Sequence, residues 1–155
     1  MSNTLPHELE VLQKDVGTWK VEMTIRPAPG AEPHSARGTA VSRFVSHGRW
    51  LVTDFTTETG DFEGHGLMGY DPKAGAYVYA WVDTMRPFLA VGRGSWDASA
   101  RKMTITTEAE QEQGPLRWRE VTEAVDPDTQ VFHSFMPGPD GSEFEMITAV
   151  YRRQR

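Results

Sequence analysis

Gly64-His-Gly-Leu-Met-Gly-Tyr-Asp-Pro-Lys-Ala-Gly-Ala-Tyr-Val-Tyr-Ala-Trp-Val-Asp83 decides the fold. Its first six residues spell G-x-G-x-x-G, the pattern of a dinucleotide-binding turn. Such a turn needs a helix directly after the glycines, its N-terminus facing a pyrophosphate. Here Tyr70-Asp71-Pro72 follows, which opens a tight turn and cannot continue a helix. The stretch therefore reads as a hairpin: a glycine-rich strand over 64–70, a turn over 71–75 and a second strand over 76–83. Glycines inside a strand let it bend or let a bulky neighbour lie over its backbone, and Trp81 on the next strand is such a neighbour. In that second strand Tyr77, Tyr79, Trp81 and Asp83 share one face, while Val78, Ala80 and Val82 share the other.

The same grammar runs through the rest of the chain. Strands are expected at 18–26, 38–46, 49–58, 64–70, 76–83, 88–96, 102–108, 116–125, 130–136 and 143–152. They are separated by turn chemistry such as His47-Gly48, Asp97-Ala-Ser99, Asp126-Pro-Asp128 and Pro137-Gly-Pro-Asp-Gly141. About ten short strands with no helical crossover must pair antiparallel. A flat sheet of that size leaves two bare edges; an up-and-down barrel closes them. A filled β-sandwich gives a similar pattern. In the last strand Phe144, Met146, Thr148 and Val150 fall on one face, opposite Glu143, Glu145, Ile147 and Ala149. Only Leu5, Leu9, Leu12 and Val16 show helical spacing, which predicts a short α-helix with Thr4 as N-cap and Gly17 at its exit. The expected organisation is a single domain over 1–155, with residues 1–16 as a capping helix and 17–155 as the barrel.

Composition narrows the function classes. The 155 residues are 38% hydrophobic and 25% charged, enough for a core that buries roughly 70% of the unfolded chain's surface. A net charge of −6 disfavours nucleic acid and anionic membranes as partners. The absence of cysteine removes disulfides, thiolate metal sites and a cysteine nucleophile. The first ten residues lack the basic start and apolar core of a secretory signal, and no apolar run has membrane-spanning length. A cytoplasmic location is the default expectation.

Two resemblances sharpen this reading. Gly17-Thr18-Trp19 after a short helix resembles the G-x-W signature of the calycin group, which includes lipocalins and fatty-acid-binding proteins. The resemblance implies a tryptophan that plugs the closed end of the barrel and a C-terminal arginine across its indole, a place held here by Arg152 and Arg153. Gly48-Arg-Trp-Leu-Val52, Phe62-Glu-Gly-His-Gly-Leu-Met-Gly-Tyr-Asp71, Tyr79-Ala-Trp-Val-Asp83 and Gly92-Arg-Gly-Ser-Trp-Asp97 stand in the order of a bacterial family catalogued as domain of unknown function 1579. That resemblance covers most of the chain and implies a calycin-like barrel without any settled activity. Pro87, in the loop after Met85, departs from its pattern.

Candidate functional residues follow from an inward aromatic face. Trp50, Tyr79, Trp81, Trp96 and Met85 are expected to line an interior pocket, with Asp83 and His65 orienting a guest. Asp54 shares a face with Trp50 and Val52 and is a second candidate interior acid. Asp83 and His65 are also the candidate general bases; the alternative for Asp83 is a carboxylate at the barrel mouth, bonded to turn amides or Arg86. His133 alternates with Val131 and Phe135, so it shares an apolar face; it is also the position to test for haem, which a distant branch of the barrel group binds through a histidine on a late strand. The five histidines show no local metal-pair spacing, and no cofactor is expected beyond that alternative. No G-x-S-x-G nucleophile motif occurs.

The leading expectation is a barrel that binds a small apolar or aromatic molecule. The alternatives are a metal-independent isomerase, cyclase or hydrolase using the same pocket, and a solid barrel whose exposed aromatics form a homodimer.

Overall fold

The computed structural model describes residues 4–155. Ten antiparallel strands form a closed barrel in the order β1-β10-β9-β8-β7-β6-β5-β4-β3-β2. They are β1 (Gly17–Ile25), β2 (His34–Val45), β3 (Trp50–Thr57), β4 (Glu63–Asp71) and β5 (Ala76–Asp83), then β6 (Arg86–Asp97), β7 (Lys102–Ala109), β8 (Leu116–Asp126), β9 (Thr129–Pro137) and β10 (Glu143–Gln154). Every expected strand is present, and the ring of pairings rules out the sandwich. The seam joins the two ends of the chain: Thr18 pairs with Gln154 and Ile25 with Ile147. Among the described residues no helix is long and apolar enough to cross a membrane.

The N-terminal helix, η1 (His7–Asp15), is wound as a 3-10 helix, not an α-helix. It begins after Pro6, and the first three residues of the expected 1–16 segment lie outside the described residues. The tighter winding stacks residues three apart. That aligns Leu9 and Leu12, both buried against Leu51, Tyr77, Met103 and Ile105 at one end of the barrel. Leu5 remains 40% exposed. The Tyr77 hydroxyl donates to the Glu8 carbonyl at 2.7 Å, and the Trp19 indole donates to the Asp15 carbonyl at 2.9 Å. The Arg153 guanidinium lies 4.2 Å from the Trp19 ring centre, the contact that the calycin resemblance implies. Arg152 instead turns outward toward Glu22.

Gly64 shows why the hairpin is rich in glycine. A Cβ there would lie 2.1 Å from Cζ2 of Trp81, because the indole lies flat over the β4 backbone. In β10 simple alternation fails. The β9–β10 register shifts between Glu145 and Ile147, a bulge at Met146. The inward side therefore passes from Phe144 to Ile147, Ala149 and Tyr151, which pack inside, and Thr148 and Val150 move to the outer face.

Candidate functional site

Small inward residues leave room between the layers of core side chains. Ala40, Ser42, Thr53, Gly66 and Thr122 meet larger neighbours around a chamber of about 160 Å³, whose walls come from nine of the ten strands and the end of η1. Trp19, Tyr79, Trp81, Phe132 and Tyr151 give it aromatic walls. Ser42 and Thr53 bond to each other at 2.7 Å. At the helix end Lys14 Nζ lies 3.0 Å from both Asp15 carboxylate oxygens, and Gln130 Nε2 donates to Asp15 Oδ1 at 2.6 Å. A second, wide hollow of about 420 Å³ at the far rim is lined by Pro27, Pro29, Arg86, Leu116, Met136 and Phe144 among others.

Glu120 is the acid of the chamber. It faces inward from β8, beside buried Trp118, and accepts the Trp118 indole N–H at 2.8 Å. Burial shifts its carboxyl upward from the ordinary glutamate value; the bond from Trp118, the Thr107 hydroxyl beside it and the charge of Arg86 pull the other way. Its charge acts on two phenols that burial already shifts. Tyr151 is pushed up to about 12 and Tyr79 well above its usual value, each by burial first and by Glu120 second. The Thr107 hydroxyl, fully buried, makes no hydrogen bond of good geometry.

Of the residues expected from sequence to form a site, Tyr79 and Trp81 line the chamber. Asp83 sits at the rim, where it accepts the Trp81 indole N–H and the Met85 amide, both at 2.8 Å. It is the turn-bonded carboxylate, its amide partner being Met85, and it positions Trp81. Met85 is 72% exposed in the turn. Trp96 packs at the helix end, with Lys14 Nζ 5.0 Å from its ring centre. Trp50, Asp54, His65 and His133 are on the outer face. In β3 it is Leu51 and Phe55 that are buried, which turns Trp50 and Asp54 outward. Trp50 lies over Gly69. His133 donates through Nδ1 to Glu145 Oε1 at 2.6 Å and stacks on Phe135, while its neighbour Ser134 is buried inside. His133 thus lies on the outer wall and not among the inward side chains of β9.

The outward histidine of β4 is held by two acids. His65 Nδ1 is 2.6 Å from Asp54 Oδ1, and Nε2 is 2.7 Å from Glu63 Oε1. With a carboxylate on each nitrogen the imidazolium is favoured, so the His65 pKa rises, through Asp54 first and Glu63 second, against a smaller burial effect. A raised folded-state pKa stabilises fully below the unfolded value near 6.5 and loses that contribution as pH climbs through the folded value. Denaturant unfolding of the parent and a His65→Gln variant should therefore show the parent's advantage at pH 5.5 and its decline by pH 8.5. An advantage that grows with pH would contradict this assignment.

Comparison with known proteins supports the architecture. The crystal structure of Rv2717c from M. tuberculosis superposes with a TM-score of 0.74 at 14% identity, over 98% of this chain and 100% of that one. The S-type phycobiliprotein lyase CPES from Guillardia theta superposes with a TM-score of 0.62 at 10% identity, over 94% and 92%. At these identities the likeness is one of fold. No curated protein matches the sequence. The model of the family described as "Protein of unknown function (DUF1579)" matches residues 4–153, and the chain belongs to that family.

Proposed function

We propose that the barrel binds a small aromatic molecule in its interior chamber. The observation that carries this reading is the chamber itself: about 160 Å³ lined by nine of the ten strands, with aromatic walls and a few convergent polar groups. A cavity of about 150 Å³ lined by apolar side chains holds benzene in another protein, so one ring is the scale of the guest. Apolar contact would supply most of the affinity, and the polar groups would orient the guest. The same fold serves as a phycobiliprotein lyase in Guillardia theta. That activity belongs to that protein, and the reading here rests on the chamber.

Thr122 offers a clean test, since it lines the chamber. Benzyl alcohol should give saturable shifts of the Trp81 resonances in an NMR titration of the parent. Thr122→Leu fills space without exposing a polar group, so it should weaken binding at least tenfold and change stability by no more than about 1 kcal/mol. Identical titrations of parent and variant would place the guest elsewhere.

If the chamber supports proton transfer, the acid is Glu120, not Asp83 or His65. Asp83 is engaged by Trp81 and the turn, and His65 is outside the barrel. Exposed apolar side chains are mainly aliphatic, with Val82, Leu89 and Val91 on the outer face of β5 and β6, so a homodimer would use these rather than aromatics.

A further inference from the structure

Given a guest in the chamber, we propose that it carries a protonated nitrogen, held by Glu120 inside a box of aromatic side chains. Three observations converge on this chemistry. The Glu120 carboxylate takes part in no ion pair among the described residues, and its one hydrogen bond there comes from a neutral indole. Among the described residues Lys14 is the one cation in the chamber wall, and Asp15 neutralises it at 3.0 Å. Arg86 acts on Glu120 through space only, its guanidinium lying over the ring of Trp118, 5.3 Å from the centroid. The chamber thus holds an acid without an ion-pair partner among the described residues.

Trp81, Tyr79, Phe132 and Tyr151 line the same chamber as that acid. The electron-rich face of an aromatic ring attracts cations, and more strongly where water is excluded. Trp19 already shows the interaction in this barrel, its ring occupied by Arg153. A buried carboxylate without a counter-ion is costly, and a cationic guest removes that cost where a neutral one only bonds to it. An anion would face Glu120 directly. Thr107, whose buried hydroxyl lacks a partner, adds a hydroxyl beside the carboxylate. The volume restricts the class to a single-ring amine, a protonated heterocycle or a compact alkylammonium.

Three probes of matched size separate charge from shape: benzylammonium, benzyl alcohol and benzoate, titrated at pH 7.5 and followed by the indole N–H resonances of Trp81 and Trp118. The parent should bind benzylammonium at least about tenfold more tightly than benzyl alcohol, with benzoate weakest, as expected for a hydrogen bond to a charged group. Glu120→Gln keeps an oxygen for the Trp118 N–H, and in it the ratio of ammonium to alcohol affinity should fall to about one. A parent ratio near one, benzoate as the tightest probe, or a ratio unchanged in Glu120→Gln would each overturn the charge assignment. The parent's own ranking of the three probes requires no variant to fold. If none of the probes moves either resonance, the chamber reading itself fails, an outcome distinct from binding without charge preference.

Discussion

Gly94→Ala should lower stability by about 3 kcal/mol, or roughly 10 °C in Tm for a chain of this length. Gly94 faces inward on β6, opposite Ile105 of β7. A Cβ there would lie 1.8 Å from the Thr104 carbonyl oxygen and 2.6 Å from Ile105 Cδ1. The Ile105 side chain can turn away, but the carbonyl belongs to the β6–β7 backbone and moves only if the two strands part. Gly64→Ala provides the comparison. Its new Cβ meets the far edge of the Trp81 ring, which can swing. It should lose less stability than Gly94→Ala while constricting the chamber. Urea unfolding of both variants checks the order, and equal losses would show that the two contacts yield in the same way.

Arg153→Ala should cost about 3 kcal/mol, and Arg153→Lys most of the same. The side chain is only 18% exposed, and its guanidinium does several things at once. It stacks on Trp19, donates to the carbonyls of Lys14, Val16 and Pro127, and pairs with Asp128 at 3.2 Å. These contacts tie the end of β10 to the exit of η1 and to the β8–β9 turn. Truncation leaves partly buried carbonyls without a donor and removes the cation from the indole. Lysine restores the charge but not the planar fork that reaches several acceptors together. Unfolding midpoints measured in urea decide the matter: a lysine variant as stable as the parent would reduce Arg153 to a point charge.

Architecture was the most legible level of the sequence. Turn residues punctuate the chain at the right intervals, so the ten strands and their antiparallel pairing could be read. Trp19 and its arginine could be placed through the calycin resemblance, and the Gly64–Trp81 contact through residue size. Which face of each strand points inward was harder to read. In β3 both faces are apolar, Trp50 and Val52 on one and Leu51 and Phe55 on the other, so alternation cannot choose between them. In β9 the outward face carries Val131 and Phe135 while the inward face carries Ser134, which reverses the usual expectation for Phe135 and Ser134. The bulge at Met146 changes the parity of β10 midway, and nothing in the local sequence marks it. Glu120 was missed although a signal existed. It alternates with Trp118, Thr122 and Ala124, opposite a face of Arg117, Arg119 and Glu123, so β8 has only one face that can go inside. An acid on that face marks the chamber.

The pairing of β1 with β10 has a consequence for how the chain matures. Residues 18–25 find their partners at 147–154, more than 120 positions away. While the chain is being synthesised, β1 can pair with β2 on one side only, and its other edge stays open until the last strand has left the ribosome. The neighbouring hairpins can assemble locally, but sealing the cylinder is a final, non-local event and sets a slow step in the ms–s range. Until then both flanks of the nascent sheet are open to pairing with strands of other chains.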